Sequence, residues 1–219
     1  MISPGVFIPL AEQTGQIILL GRWILHRAGQ DAAAIRAEGG LVVPIAVNIS
    51  SLQFRRDGFL TDLQDALEAA NLPPNLLELE VTESVLLEGA EPAIKLINVL
   101  KAMGIRVALD DFGTGFSSLS YLRDLPIHKV KLDRAFIHEI GANCSNAAIV
   151  QGIITRAHHL DLIVVAEGIE QYEEQQDLVR RHCDLLQGFY FAKPMPREAI
   201  MKLPNLLPLP VDMNPPTTR

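Results

Sequence analysis

Apolar residues recur along the chain with two periods, one typical of buried strands and one typical of amphipathic helices. Leu77 to Thr82 alternates strictly between apolar and polar side chains, whereas Leu41 to Ile49 is apolar almost throughout. Spacings of three and four residues elsewhere predict helices, several of them ended by glycine or proline. The predicted strands are 41–49, 76–82, 105–110, 128–132, 162–166 and 185–191. The predicted helices are 7–12, 16–38, 58–70, 91–103 and 171–182, with others beginning at Ser117, Arg134, Asn146 and Pro196.

The helix predicted over 16–38 shows the clearest apolar stripe. Its core face is expected to hold Ile17, Leu20, Ile24 and Ala28. Trp23 and Leu25 are expected to widen that face. Ahead of it, Ser3 and Pro4 supply a capping hydroxyl and a proline at the first helical position, which favour a helix start.

Six predicted strands, each followed by helix, indicate an α/β protein with a parallel sheet. A polar residue lies at or near the C-terminal end of five of these strands: Asn48, Glu80, Asp110, Lys131 and Glu167. An open sheet gathers ligand groups mainly where the strand order reverses. Residues from many different strands converge around the mouth of a barrel, so the pattern favours a barrel.

Two adjacent carboxylates, Asp110 and Asp111, end the apolar run 107–109. The loop that follows carries Gly113, Thr114 and Gly115. Such charges repel each other, and a divalent metal ion is the usual reason to gather them. On the DDxG pattern alone, a solvated turn is the better interpretation, because Asp and Gly are ordinary turn residues.

Composition is that of a globular protein with a sizeable core: 219 residues, 48% hydrophobic and 21% charged. The net charge of -7 gives no bulk attraction to DNA, RNA or anionic lipid. The two cysteines, Cys144 and Cys183, lack metal-binding spacing and are expected to stay reduced in the cytoplasm. No apolar run is long enough to span a membrane, and no signal peptide is visible.

The loop DDFGTGFSSL, residues 110–119, resembles the signature loop of the EAL-domain cyclic di-GMP phosphodiesterases. Further stretches of the chain resemble other sequence blocks of that family, in the same order. They are ISPGVFIPLAEQTG at 2–15, NIS at 48–50, EVTE at 80–83, KLD at 131–133, AEGIE at 166–170 and QGF at 187–189. The resemblance covers nearly the whole chain and overturns the interpretation of 110–115 as a plain turn.

The resemblance implies a (β/α)8 TIM-like barrel, of which six strands are expected here. The first two strands of the family, including the Glu-x-Leu-x-Arg segment, have no counterpart. Glu12 and Arg22 lie in helical stretches with the wrong surroundings. We therefore expect a truncated EAL domain over 1–203 and a proline-rich tail over 204–219, with activity impaired in this chain.

The resemblance also implies a set of site residues. Metal ligands are expected at Asn48, Glu80, Asp110, Asp111 and Glu167. Lys131 and Glu167 are expected to be catalytic. Roles in positioning the substrate or the loop are expected for Glu83, Asp133, Glu170, Gln187, Gly113, Thr114 and Gly115. Two alternatives stand beside these roles: Asn48 as the cap of the next helix, and Glu83 as a solvent-exposed glutamate.

The implied activity is hydrolysis of cyclic di-GMP to linear pGpG with two Mg²⁺ or Mn²⁺ ions, in bacterial signalling. Fusion to sensory or GGDEF domains and homodimer formation are further expectations. One alternative is a catalytically inactive EAL module that acts as a cyclic di-GMP receptor or a protein-interaction domain. Another is a different metal-dependent barrel enzyme, such as an enolase-like lyase with Lys131 as the base.

Overall fold

The computed structural model of the chain describes residues 2–40, 42–87, 90–113, 121–138, 140–141 and 144–203. These residues form two compact units. The first contains the described residues up to Asp110 together with 121–128. The second contains 111–113 and the described residues from Lys129 onward.

Strands and helices alternate along the described chain, as the apolar periods predict. The strands are β1 (Ile45–Ile49), β2 (Leu77–Thr82), β3 (Arg106–Phe112), β4 (Lys129–Leu132), β5 (Ile163–Ala166) and β6 (Leu185–Leu186). The helices up to β3 are α1 (Pro4–Gln13), α2 (Ile17–Ala37), α3 (Ser51–Phe54), α4 (Phe59–Ala70), α5 (Ser84–Leu87) and α6 (Ala90–Ala102). The later helices are α7 (Arg134–Ile137), α8 (Cys144–His158), α9 (Tyr172–Arg180) and α10 (Arg197–Ile200).

The strands form a six-stranded sheet in chain order, β1 to β6. In the first unit β1 pairs with β2 and β2 with β3, both parallel. In the second unit β4 pairs with β5 and β5 with β6, again parallel. The predicted α/β class and parallel sheet are confirmed.

The core of the first unit lies between one face of its strands and the helices. The strands contribute the buried side chains of Val47, Leu79, Val81 and Leu109 to this core, and the helices contribute those of Leu63, Ile97 and Leu100. Because side chains alternate along a strand, this packing turns Asn48, Glu80 and Asp110 to the opposite face.

Helix α2 uses a different stripe from the predicted one. Its buried residues are Ile17, Gly21, Leu25 and Gly29, at intervals of four. Trp23 is 62% exposed, so its placement on the core face was wrong. It follows Gly21 by two residues, which places it about 200° around the helix. The glycines allow close packing: a Cβ at Gly29 would lie 3.1 Å from Cβ of Ala70.

Several predicted boundaries also differ. β1 begins at Ile45 rather than at residue 41, after Pro44. β6 ends at Leu186, because the chain then turns and the N–H of Tyr190 donates to the carbonyl of Ile169. Ser3 precedes α1 as predicted, but its side chain makes no capping hydrogen bond. The predicted tail and the helix from Ser117 fall outside the described residues. Among the described residues, no helix has the length and apolar character of a membrane span.

Candidate functional site

Three oxygen-bearing side chains lie on one face of the sheet in the first unit. Asn48 pairs directly with Glu80, and Asp110 pairs with Thr82, two residues further along β2. Glu80 and Asp110 are each only 8% exposed. Two buried carboxylates on neighbouring strands are unfavourable unless cations or hydrogen bonds compensate their charge. An amide and two carboxylates are hard oxygen donors, which suit Mg²⁺ or Mn²⁺.

The turn after Asn48 is fixed by a reciprocal capping box. The N–H of Gln53 donates to Oγ of Ser50, and the N–H of Ser50 donates to Oε1 of Gln53. The cap of α3 is therefore Ser50, and not Asn48 as one alternative had it. A Cβ at Gly21 would lie 1.6 Å from Nε2 of Gln53, so a side chain at this position of α2 would displace the Gln53 side chain that forms the cap.

A cavity of about 530 Å³ opens beside β1 in the first unit. Asn48, Ser50, Gln53 and Thr82 supply polar groups to its wall, and Ile17 and Ile24 of α2 supply apolar ones. It combines an apolar wall with a few convergent polar groups, which is the usual make-up of a small-molecule site.

Glu83 follows β2 directly and is buried, so the solvent-exposed alternative was wrong. Its neighbours Thr82 and Ser84 share a hydrogen bond of 2.6 Å between their hydroxyl oxygens. This places a buried carboxylate immediately after the end of the strand that carries Glu80.

Backbone conformation separates the two adjacent acids. Asp111 has φ of +53°, in the left-handed region that few residues other than glycine adopt. It is exposed, in contrast to the buried Asp110. Gly113 also has positive φ, and a Cβ there would lie 2.9 Å from Cε2 of Phe136. β3 continues through Asp111 to Phe112, two residues beyond the predicted end of the strand, and the predicted turn begins at Gly113, whereas Thr114 and Gly115 fall outside the described residues.

Lys131 and Glu167 form a close ion pair in the second unit. Nζ of Lys131 lies 2.7 Å from Oε1 of Glu167, and Lys131 is 4% exposed. β4 places Lys131 between buried Val130 and Leu132. Glu167 follows β5, where its N–H donates to the carbonyl of Leu132. The pair combines a buried cation with a carboxylate that keeps some contact with water.

The chain after Glu167 is held tightly against the end of β6. The N–H of Gln187 donates to the carbonyl of Ala166, and the N–H of Ile169 donates to the carbonyl of Gln187. A Cβ at Gly188 would lie 2.1 Å from the carbonyl oxygen of Ile169. Gly188 of the QGF block thus permits a main-chain approach that any side chain would block.

The remaining predicted residues have local contacts. Oδ1 of Asp133 accepts the N–H of Ala135 and so caps α7. Oε1 of Glu170 lies 3.0 Å from Nη1 of Arg134. Gln187 has an exposed side chain and contributes to the loop through its main chain. Each of these contacts lies in a turn at the C-terminal end of β4, β5 or β6.

Within the described parts of the chain, no three Asp, Glu, His or Cys side chains form a group that could hold a metal ion. The set in the first unit contains two carboxylates, and its third donor is the amide of Asn48. Its donor chemistry still fits a hard divalent cation.

Comparison with known proteins decides the family. The sequence model of the EAL domain matches residues 1–194. The chain belongs to the EAL domain family.

Two curated proteins illustrate the relationship of this EAL domain. It is 44% identical over 195 residues to signaling protein YkoW of Bacillus subtilis (strain 168), covering 89% of this chain and 24% of YkoW. It is 42% identical over 201 residues to the bifunctional diguanylate cyclase/cyclic di-GMP phosphodiesterase MucR of Pseudomonas aeruginosa, covering 92% of this chain and 29% of MucR. The chain thus spans about a quarter of the length of these relatives.

A solved structure supports the fold of the EAL domain. The PaMucR phosphodiesterase in its c-di-GMP complex superposes with a TM-score of 0.87 at 42% identity, covering 91% of this chain and 81% of that chain. The α/β fold predicted as TIM-like is confirmed by this match.

Sequence reasoning missed three features of this EAL domain. The capping box had a visible signal, because Ser50 and Gln53 have the Ser-x-x-Gln spacing. Gly188 and Gly21 had no such signal, since only the packed structure shows what a side chain there would meet. The contacts of Glu174, a buried residue in the first turn of α9, were also not anticipated.

Proposed function

We propose that this EAL domain hydrolyses cyclic di-GMP to linear pGpG with two divalent ions, Mg²⁺ or Mn²⁺. We place it in the cytoplasm of a bacterium, in a longer signalling protein that also contains sensory or GGDEF domains. Homodimer formation is part of the same proposal. The observation that supports the hydrolytic function is the ion pair of buried Lys131 with Glu167, at 2.7 Å, at the ends of adjacent parallel strands. The activities named for MucR point the same way.

Asn48, Glu80 and Asp110 would hold one ion, and Asp111 and Glu167 the other. Bound divalent ions would screen the phosphodiester and lower the pKa of a coordinated water. The geometry of the first unit supports the ligand set of the first ion, because Asn48, Glu80 and Asp110 share one face of the sheet. Glu83 and Gly113 would keep the loop after β3 in position, together with Thr114 and Gly115.

The chain's own groups would divide the chemical work as follows. A water oxygen attacks phosphorus while the bond to one 3′-oxygen breaks, and the leaving oxygen takes up a proton. Glu167 accepts a proton from the attacking water, as a carboxylate within reach of solvent can. Lys131 stabilises the charge that develops on the phosphoryl oxygens, because a buried cation acts strongly where water is excluded. Asp133, Glu170 and Gln187 hold the turns that carry this pair.

Substrate turnover and substrate binding test the proposal together. The chain is incubated with cyclic di-GMP and Mg²⁺ or Mn²⁺, pGpG is followed by chromatography, and binding is measured by calorimetry. Because the Glu-x-Leu-x-Arg segment is not among the 219 residues, we expect slow turnover. Lys131→Met should abolish it, whereas Lys95→Met, at an exposed position of α6, should not change it.

Each outcome has a definite meaning. Formation of pGpG that depends on Lys131 supports the phosphodiesterase. Binding of cyclic di-GMP with no product would replace it with the receptor function. A chain that neither binds nor hydrolyses cyclic di-GMP overturns the proposal.

A further inference from the structure

The segment 167–170, called here the Glu167 loop, receives support from one side chain as well as from main chain. The N–H groups of Glu167 and Ile169 donate to the carbonyls of Leu132 and Gln187. The next two N–H groups, of Glu170 and Gln171, both donate to Oε2 of Glu174, at 2.9 and 3.1 Å. Glu174 therefore completes the hydrogen bonding at the far end of the loop.

The surroundings of Glu174 suit a residue that fixes the backbone of the loop and does not itself take part in catalysis. It is 5% exposed, and one of its carboxylate oxygens accepts both N–H groups. Hydrogen bonds to an ionised acceptor are stronger than neutral ones, and more so in a buried position. Its Oε1 lies 3.8 Å from Nδ1 of His138, just beyond the end of α7. The side chain is thus directed at the loop and away from bulk solvent.

The Glu167 loop needs such a support because its middle is conformationally permissive. Gly168 has φ of +70°, and a Cβ there would lie 2.6 Å from the side chain of Arg134. Glycine loses more conformational freedom on folding than other residues, so a loop that contains it is less rigid unless its ends are fixed. The hydrogen bond of Glu167 to Leu132 fixes one end, and Glu174 fixes the other.

We propose that Glu174 is a positioning residue: through the amides of Glu170 and Gln171 it sets the backbone of the Glu167 loop and hence the placement of Glu167 against Lys131. The catalytic part of this inference rests on the proposed function, whereas its structural part does not. The bond from the N–H of Gln171 is also one half of the capping box of α9. A residue that only capped the helix would affect exchange at Gln171, but neither exchange at Glu170 nor the rate of reaction.

Hydrogen exchange on the 219-residue chain tests the structural part without any activity. In Glu174→Ala, exchange at the amides of Glu170 and Gln171 should become at least about tenfold faster, because both lose their acceptor. Glu174→Gln keeps an acceptor oxygen and should restore slow exchange. Glu173→Ala removes an exposed carboxylate from the same helical turn and should leave these amides unchanged. Unchanged exchange in Glu174→Ala, or equal acceleration in Glu173→Ala, would overturn the inference.

Steady-state kinetics test the catalytic part. Small displacements of reacting groups are costly, so kcat of Glu174→Ala should fall by about tenfold. KM should stay within about twofold because Glu174 does not touch substrate. Glu174→Gln should recover most of kcat. If exchange accelerates while kcat stays unchanged, the loop is held by Glu174 but catalysis does not depend on it, and the positioning role is wrong.

The design separates the two proposals. If the unsubstituted chain does not hydrolyse cyclic di-GMP, the proposed function fails, and the exchange experiment still decides whether Glu174 holds the loop. Should Glu174→Ala fail to fold, Glu174→Asp takes its place. It keeps the buried charge but withdraws the oxygen from the amides, so the same acceleration is expected.

Discussion

At the scale of single residues, the site depends on polar side chains that are buried by apolar neighbours. Glu80, Asp110 and Lys131 all lie on strands whose flanking positions are packed, so their orientation is set by the period of the strand. This is why their positions could be anticipated from the sequence. Their partners could not, because Lys131 and Glu167 come together only through the pairing of β4 with β5.

Asp110→Asn should weaken binding of Mn²⁺ by about tenfold or more, because the substitution removes a charged oxygen donor and leaves the shape of the side chain unchanged. Calorimetry on the 219-residue chain measures the affinity. Asp65→Asn is the matched control, since Asp65 is an exposed carboxylate on helix α4 and is not among the proposed metal ligands. Equal affinities in Asp110→Asn and the unsubstituted chain would remove Asp110 from the ligand set.

Cys183 should react slowly with alkylating reagents at neutral pH. Burial raises the pKa of its thiol from 9.0 to about 11, and the charge of Asp184 acts in the same direction. Only the thiolate is nucleophilic, so the rate should rise as pH approaches 11. Iodoacetamide labelling of a Cys144→Ser chain, followed by mass spectrometry, measures this rate. A plateau already reached at pH 8 would contradict the raised pKa.

The same thiol affects stability at high pH. Its pKa is higher in the folded chain than its ordinary 9.0, so the folded state holds the proton more tightly. The contribution is fully present below about pH 9 and is lost as pH rises from 9 to about 11. Cys183→Ser should flatten the fall of unfolding free energy in that window.

At the scale of elements, α2 shows where apolar patterning succeeds and where it fails. The helix and its Leu25 contact were predicted, but Gly21 and Gly29 read as gaps in a hydrophobic stripe. In the structure they are the places of closest approach to Gln53 and Ala70. The short helices α3 and α5 were missed for a related reason, since four residues are too few to show a period.

Leu25 and Trp23 should therefore respond oppositely to truncation. Leu25→Ala removes a side chain that is 3% exposed and should lower the free energy of unfolding by about 2–5 kcal/mol. Trp23→Ala removes a larger but exposed side chain and should change it by about 0.5 kcal/mol or less. Urea denaturation followed by circular dichroism measures both. A larger loss in Trp23→Ala would show that the buried stripe of α2 is assigned wrongly.

At the scale of the whole molecule, the α/β class with a parallel sheet followed from the alternation of apolar periods, and the family followed from blocks distributed over the chain. Within each unit, strands that follow one another in the chain pair in parallel, so their C-terminal ends are adjacent. The polar residues predicted at the ends of successive strands are therefore spatial neighbours within each unit. The exact ends of β1 and β6 could not be predicted in this way, because the apolar period of a strand does not show where the chain turns.

Ligand binding should stabilise the whole chain by mass action. With Mg²⁺ and cyclic di-GMP at about 100 times its Kd, the free energy of unfolding should rise by about 2.7 kcal/mol. The Lys131→Met chain is the appropriate protein for this measurement, because turnover would otherwise consume the ligand. Cyclic di-AMP, which differs in its nucleobases, is the control for base specificity. An unchanged thermal midpoint at saturating cyclic di-GMP would argue against binding.

The left-handed backbone of Asp111 has an evolutionary consequence. Aspartate and asparagine are the residues other than glycine that visit this conformation most readily. Replacing Asp111 with Asn would thus remove a negative charge at almost no conformational cost. If Asp111 holds a divalent ion as proposed, a lineage with this change would lose catalysis and still keep a folded domain with the cavity beside β1. Enzymes and receptors built on the same scaffold would then be separated by one tolerated substitution, and stability would offer no barrier between them.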